Sequence, residues 1–256
     1  MSGLPGLRRV EQIMGMPIVV DVRDDATDAA LDAVFDWFRE VDGRFSTYKE
    51  GSEISRLNRD ELALRDCHPD VRSVLVRCDE LREATGGFFD ARYASLLEVD
   101  PSGLVKGWSV DRAGDLLEAR GVHNYSINAA GDIRTRGAAL PEPAWRTGIQ
   151  HPEIPDRVAA VVEANDLAIA TSGAYVRGEH IIDPHTGRAP SGLLSVTVTG
   201  DDLATADALA TAVFAMGGEG PAFATAIYPY EAYLILADGN SLATSGFPFG
   251  EVGPSK

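Results

Sequence analysis

Apolar residues recur at helical spacing in several stretches of this chain. Residues 28–41 have a one-sided apolar pattern, typical of an amphipathic helix. Residues 71–84 repeat it and stop at Gly86-Gly87, a typical C-terminal signal. A third helix is predicted over residues 110–120, before Gly121. The apolar positions of the first helix are Leu31, Val34, Phe35, Phe38 and Val41.

Elsewhere the pattern changes to alternation and to short β-branched runs, which predict strands. The residues Asn165-Asp166, between two such runs, predict a hairpin. A segment of strong helix propensity, residues 204–217, follows the run at 195–199. The predicted strands are residues 17–22, 125–128, 132–135, 158–163, 167–171, 195–199 and 232–237.

Helices and strands are mixed without a strict βαβ alternation, so the predicted fold class is α+β. No repeat or low-complexity tract divides the chain, and a single domain over residues 1–256 is expected. Residues 137–155 are rich in proline and predict a long loop, which either joins two lobes or is a surface connection.

Composition narrows the function classes. The chain has 256 residues, 45% of them hydrophobic, with a formal charge of -16. That charge, without a basic run, argues against nucleic-acid binding. No segment approaches the roughly 20 apolar residues of a membrane-spanning helix, and the N-terminus lacks a signal-peptide pattern, so membrane insertion is not expected and a cytoplasmic protein is. Cys67 and Cys78 lack metal-ligand spacing and are expected to be ordinary thiols.

Candidate chemistry begins with Asp207 and Thr211, four residues apart and therefore on one helix face. Their hard oxygens suit magnesium or calcium, although such a pair is more often simply solvated. Asp111 is either a helix N-cap or a carboxylate that accepts hydrogen bonds from a heterocycle. Lys106 would be a local cation for an anionic ligand, with Gly107 beside it allowing close backbone approach.

Several short motifs occur in an order that resembles the ApbE family of FAD:protein FMN transferases. The resemblance covers essentially the whole chain. The motifs are Met14-Gly-Met16, Phe45-Ser-Thr-Tyr48, Ser52-Glu-Ile-Ser-Arg-Leu-Asn58, Thr85-Gly-Gly-Phe-Phe-Asp90, Lys106-Gly-Trp-Ser-Val-Asp-Arg112, Asn128-Ala-Ala-Gly-Asp-Ile133, Ala170-Thr-Ser-Gly173, His180-Ile-Ile-Asp-Pro-His-Thr-Gly187 and Ala206-Asp-Ala-Leu-Ala-Thr211.

The resemblance implies a magnesium-dependent enzyme that cleaves FAD and attaches FMN, through a phosphoester bond, to a Thr or Ser of an acceptor protein, releasing AMP. It implies an ApbE-like, tunnelling-fold-like α+β structure with largely antiparallel sheets and two lobes around an FAD cleft. The acceptor would be a flavoprotein or redox subunit with Gly-Ala near the modified residue.

The resemblance also implies site residues. The metal ligands would be Asp207, Thr211 and the carbonyl of Gly114, which stands where the family usually has Ala. Ile182 would be a further apolar contact. The flavin and adenine contacts would be Met14, Tyr48 as the stacking group, Phe88, Phe89, Asp90 and Asp111.

The acceptor hydroxyl must lose its proton, and His180 is the expected base because its unperturbed pKa lies near working pH. Asp183 is the other candidate. The family often has two adjacent histidines here, whereas this chain has Glu179-His180. Ala130 also departs from a usual Gly. Two other functions stay open: an FAD pyrophosphatase that uses water as acceptor, and a flavin-binding protein without activity.

Overall fold

The computed structural model describes residues 6–92, 98–154, 156–173 and 181–251. The α-helices are α1 (Asp28–Phe45), α2 (Glu53–Asn58), α3 (Pro69–Ala84), α4 (Ser102–Glu118), α5 (Leu203–Ala215) and α6 (Gly220–Ala224). The strands are β1 (Leu7–Ile13), β2 (Met16–Val22), β3 (Tyr125–Ala129), β4 (Asp132–Arg136), β5 (Trp145–Gln150), β6 (Val158–Ala164), β7 (Ala168–Gly173), β8 (Leu193–Gly200), β9 (Glu231–Leu236) and β10 (Ser241–Ala243). Short 3-10 helices cover Leu64–Asp66 and Gly217–Glu219.

The strands form two sheets. The large sheet has eight strands in the order β1-β2-β3-β4-β7-β8-β9-β10, and the small one pairs β5 with β6. Each of these pairings is antiparallel. Because helices accompany antiparallel sheets without βαβ units, the predicted α+β class is confirmed. The prediction of a single domain stays a prediction.

Three apolar clusters connect these elements in layers. The first joins the large sheet to α1, α4 and α5, with Ile18, Phe35 and Leu203 among its fully buried side chains. The second lies on the far side of these helices and includes α3. The third joins the opposite face of the large sheet to β5 and β6, through residues such as Ile169 and Val162. The helices therefore cover one face of the large sheet, and the small sheet covers part of the other.

Helix α5 lies between the first two clusters and is buried along almost its whole length. Ala204, Ala208 and Ala212 face the second cluster, whereas larger residues such as Leu209 and Val213 face the first. Small residues at a spacing of four let the neighbouring helix approach closely. The predicted helix around residues 204–217 is confirmed, and only a narrow edge of it remains for polar groups.

Helix α4 begins at Ser102, eight residues before the predicted start. Gly103 and Gly107 lower the local helix propensity and hide this start from the pattern. Gly107 is needed because a Cβ there would lie 2.4 Å from the carbonyl oxygen of Leu203. The expected close approach of backbone at Gly107 is therefore found, between α4 and α5.

The predicted hairpin around Asn165-Asp166 is wrong. Strand β6 pairs with β5, whereas β7 pairs with β4 and β8. The chain crosses from the small sheet to the large one at this point, with Asp166 at a φ of 54°. The two runs have the alternation and spacing of a hairpin, but each finds its buried face in a different sheet.

The predicted loop over residues 137–155 contains β5, whose six residues lie between prolines that hide the strand from the pattern. Strands β1 and β10, both at sheet edges, were not predicted either. Both cysteines are buried and unpaired, and burial raises the pKa of Cys78 to about 12. Among the described residues, no helix is long and apolar enough to cross a membrane.

The turn between β3 and β4 is formed by Ala130 and Gly131, which have φ values of 51° and 102°. Asn128 closes the turn by accepting a hydrogen bond from the backbone N–H of Gly131 at 2.8 Å. A left-handed conformation suits glycine and strains alanine. Ala130 is thus a strained residue in a turn that the sheet register fixes.

We expect Ala130→Gly to stabilise the fold by about 0.5–1 kcal/mol, because relief of the left-handed strain exceeds the added entropy of the unfolded chain. Urea unfolding would measure this. Ala138→Gly is the matched control, since Ala138 follows the same hairpin without a positive φ, and it should destabilise by up to about 1 kcal/mol. Equal destabilisation by both changes would contradict the strain.

Candidate active site

A cleft of about 630 Å³ lies where α4 and α5 meet the large sheet, with β5 along another wall. Its volume is within the range of small-molecule and cofactor sites. It collects residues from segments that are far apart in sequence. Those lining it include Phe88, Phe89, Asp90, Asp100, Gly103, Lys106, Asn128, Asp132, Thr147, Gln150, Thr171, Ser172, Ile182, Pro184, Asp207 and Thr211.

The polar edge of α5 faces this cleft. Asp207 is only 3% exposed, and Thr211 follows it one turn later. The Thr211 hydroxyl lies 3.3 Å from the hydroxyl of Ser172 in β7. The alternative of a solvated helix face is therefore wrong for Asp207, and hard oxygen atoms are gathered at one end of the cleft.

A lysine lies against these carboxylates. The Lys106 ammonium contacts Asp132 Oδ2 and is 3.4 Å from Asp207 Oδ1. Asp132 is 2% exposed and also accepts a hydrogen bond from the backbone N–H of Thr171 at 3.1 Å. The cleft thus contains a buried charge cluster built from α4, β4 and α5.

The described side chains offer a metal an incomplete shell. Within the described ranges, no three His, Cys, Asp or Glu side chains are placed to share one metal ion. Asp207 and Thr211 nevertheless supply oxygen ligands of the kind that Mg²⁺ takes from proteins, with the remainder coming from water and substrate phosphates. The donor set fits a magnesium ion that substrate completes, and it does not fit a soft metal.

The segment after α3 forms an apolar wall of the cleft. Gly86 and Gly87 have φ values of 62° and 90° and turn the chain, and the Thr85 hydroxyl accepts a hydrogen bond from the Phe89 N–H at 3.0 Å. This turn directs Phe88, Phe89 and Asp90 to the cleft, and their contacts with flavin or adenine stay a prediction. Asp90 also accepts a hydrogen bond from Arg82 at 2.9 Å.

The Asp-Pro-x-x-Gly turn is present at residues 183–187, closed by the Gly187 N–H bonded to the Asp183 carbonyl oxygen at 2.8 Å. The Asp183 carboxylate accepts hydrogen bonds from the His185 N–H and the Thr186 hydroxyl, so it holds this turn. Asp183 does not line the cleft, whereas Ile182 does. His180 lies outside the described residues.

Asp111 is not at the cleft, and the structure corrects its assignment as a ligand contact. Its carboxylate accepts hydrogen bonds from the N–H groups of Leu203 and Ala204, at the N-terminus of α5, and from Arg134 at 2.7 Å. Burial raises the pKa of Asp111 to about 6, although Arg134 and these N–H groups oppose the rise. The N-cap alternative is also wrong, because Asp111 lies inside α4 and the N-cap of α5 is Asp202. Asp111 instead accepts the first N–H groups of α5 from the neighbouring helix.

Gly114 is also away from the cleft. A Cβ there would lie 2.5 Å from the hydroxyl of Tyr125, so this glycine admits Tyr125 against α4. Eight residues separate it from Lys106, which is about 12 Å along a helix. Gly103 lines the cleft instead, on the same face of α4 as Lys106.

Two other predicted contacts lie outside the lining of the cleft. Met14 is in the turn between β1 and β2 with a φ of 54°, half-buried against the apolar clusters. Tyr48 is 98% exposed, in the loop before α2. Their predicted contacts with flavin or adenine stay predictions.

Asp100, Gly103, Asp132 and Ser172 line the cleft but were not selected as site residues. Asp132 and Ser172 lie within two of the family motifs, so the sequence indicated these segments but not these two side chains. Asp100 and Gly103 precede Lys106 by less than two helical turns, which would have indicated them only if the start of α4 had been known.

Comparison with known proteins identifies relatives that match most of this chain. The ApbE family model matches residues 14–99 and 94–234. An FAD:protein FMN transferase of Vibrio cholerae is 43% identical over 133 residues, which are 48% of this chain and 40% of that protein. The chain thus matches less than half of the length of that relative. One of Haemophilus influenzae is 24% identical over 88% of this chain and 82% of its own length.

Solved structures of ApbE proteins have the same fold as this chain. The flavin transferase ApbE from Vibrio cholerae superposes with a TM-score of 0.85 at 27% identity, covering 96% of this chain and 99% of that one. The ApbE protein from Thermotoga maritima superposes with a TM-score of 0.84, covering 94% and 97%, and at 22% identity it supports the fold alone.

We expect Asp111→Ala to lower the free energy of unfolding by about 3 kcal/mol, since it leaves the buried Arg134 without its counter-charge. Asp100→Ala removes the acceptor of the Ser102 N–H and hydroxyl at the start of α4, so it should lower the free energy of unfolding by no more than about 1 kcal/mol, and it should weaken FAD binding. Urea unfolding and flavin fluorescence would measure the two effects.

Asp115→Ala, on the exposed side of α4, is the control and should alter neither quantity. An Asp111→Ala variant that is fully stable but has lost FAD binding would restore Asp111 as a ligand contact.

Proposed function

Because the chain belongs to the ApbE family, we propose that it transfers FMN from FAD to a Thr or Ser hydroxyl of an acceptor protein and releases AMP. The observation that carries this proposal is a single cleft that combines an apolar wall, a lysine and hard oxygen ligands. Family membership and this combination point to the same chemistry.

The walls of the cleft suit the parts of FAD. Phe88, Phe89 and Ile182 offer apolar surface to flat rings. Lys106 offers a positive charge to the diphosphate, in a chain whose net charge of -16 otherwise repels anions. We therefore infer that the diphosphate lies at the α4 and α5 end of the cleft.

We infer a Mg²⁺ site on Asp207 and Thr211, completed by substrate oxygens. We assign the main-chain carbonyl ligand from α4 to Gly103 and not to Gly114, because Gly103 lines the cleft and Gly114 does not. When bound, such an ion reduces the repulsion between diphosphate oxygens and an incoming hydroxyl. The rigid burial of α5 holds its two ligand side chains ready for this role.

The acceptor hydroxyl needs a base at the flavin-phosphate side. We retain His180 for this role, since the two residues that follow it, Ile181 and Ile182, line the cleft. Asp183 is the weaker candidate, because its carboxylate already holds the turn at residues 183–187. We propose that the acceptor is a flavoprotein or redox subunit. The cytoplasmic location of this chain stays a prediction.

The direct test incubates the protein with FAD, Mg²⁺ and an acceptor containing Gly-Ala beside a Thr, and weighs the acceptor for added FMN. We expect the mass gain with wild type, its loss in EDTA and its return with Mg²⁺. Asp207→Asn should reduce the transfer rate at least about 100-fold, because the ion loses its one charged protein ligand.

Asp201→Asn is the control, an exposed carboxylate just before α5, and it should retain full activity. Release of FMN and AMP without any labelled acceptor would identify a pyrophosphatase. FAD binding without either product would identify a flavin-binding protein.

We expect His180→Ala to lower the transfer rate by about 10²–10⁴-fold, the usual contribution of a general base, with FAD affinity retained. Single-turnover labelling at saturating FAD would measure it. His151→Ala removes a histidine from the loop after β5 and should have no such effect. Full transfer by His180→Ala would exclude His180 as the base.

A further inference from the structure

Lys106 occupies a position that a metal ion would also favour. Its ammonium contacts Asp132 Oδ2 and lies 3.4 Å from Asp207 Oδ1. Both carboxylates are nearly fully buried, so their charge is poorly screened by water. The lysine therefore acts as a counter-ion for the same carboxylate that we assign to Mg²⁺.

Asp132 fixes the lysine at this place. Its other oxygen, Oδ1, accepts the hydrogen bond from the Thr171 N–H, and Thr171 lies in the middle of the large sheet. The carboxylate is thus anchored to two neighbouring strands, β4 and β7. A lysine held by an immobile carboxylate keeps its charge beside Asp207 until another anion attracts it.

A Mg²⁺ ion on Asp207 and the Lys106 ammonium would lie close enough to repel each other. A Mg²⁺ ion lies about 2.1 Å from its oxygen ligands, so on Asp207 Oδ1 it would be within roughly 5.5 Å of an ammonium 3.4 Å from that atom. Like charges at that distance in a buried site repel strongly. An anionic diphosphate would relieve the repulsion by pairing with both cations.

We propose that Lys106 is the counter-ion of Asp207 before ligands bind and that it imposes an order of binding, the diphosphate first and the divalent cation second. This inference rests on the proposed function, because FAD supplies the diphosphate. The apo protein would bind Mg²⁺ weakly, and the metal site would form when the diphosphate draws the Lys106 ammonium from Asp207. Lys106 is then a positioning residue for the metal as well as a contact for the substrate.

The test is a titration of the full chain with Mn²⁺ as a spectroscopic substitute for Mg²⁺, followed by electron paramagnetic resonance. Without FAD, wild type should bind Mn²⁺ at least about tenfold more weakly than with saturating FAD. Without FAD, Lys106→Met should bind Mn²⁺ at least about tenfold more tightly than wild type, because the competing charge is gone.

Arg112→Met is the matched control, since it removes an exposed cation six residues along α4 and should leave Mn²⁺ affinity unchanged. Adding Asp207→Asn to Lys106→Met should abolish the gain, which would locate the ion at Asp207. Should Lys106→Met unfold, the double variant Lys106→Met, Asp132→Asn removes the buried pair together, and it should show the same gain over wild type.

Two results would overturn the proposal: equal Mn²⁺ affinity of wild type with and without FAD, or no gain in either lysine variant. The variant comparison uses no flavin, so its outcome does not depend on transferase activity. Failure of wild type to bind FAD by fluorescence would instead defeat the proposed function, and the two failures are thereby distinguished.

Discussion

The cleft depends on one interaction, the contact of Asp111 in α4 with the N-terminus of α5. This carboxylate accepts the first free N–H groups of α5 and pairs with the buried Arg134 of β4. Helix N-termini carry unsatisfied donors and partial positive charge, so a buried carboxylate there is strongly held. Since α4 carries Lys106 and α5 carries Asp207, the same contact sets the separation of the two charged groups.

The close approach of α4 and α5 also fixes the positions of Lys106 and Asp207. Gly107 removes the side chain that would meet the Leu203 carbonyl, and the alanines of α5 present little bulk to their neighbours. With both faces of α5 packed, its polar edge has a fixed direction, toward β4 and β7. The proposed site for a substrate diphosphate and a divalent ion would thereby stand on rigid elements, with the turns at residues 86–90 and 181–187 adding the apolar part.

Much of this could be predicted from the sequence, and the failures share a cause. Asp207 and Thr211 were recognised because a spacing of four is local and defines a helix face. Asp111 accepts hydrogen bonds from Arg134, 23 residues further on, and from Leu203, 92 residues further on, and no local pattern indicates either partner. The hairpin at Asn165-Asp166 failed because alternation shows which faces are buried but not which sheet buries them. Motif order indicated the family. The predicted roles of Asp111 and Gly114 did not take account of where α4 begins, which is at Ser102.

The crossing at Asn165-Asp166 has a consequence for how such a protein can change. Strands β4 and β7 are direct neighbours in the large sheet, with Arg134 opposite Ala168. Everything between them, including β5 and β6, is an excursion that leaves the sheet and returns to the adjacent position. An excursion of this kind can be exchanged without shifting the register of the strands or the helices behind them. Because β5 lines the cleft, the side chains and length of this wall can change while the strands of the large sheet and the helices that pack on them keep their register.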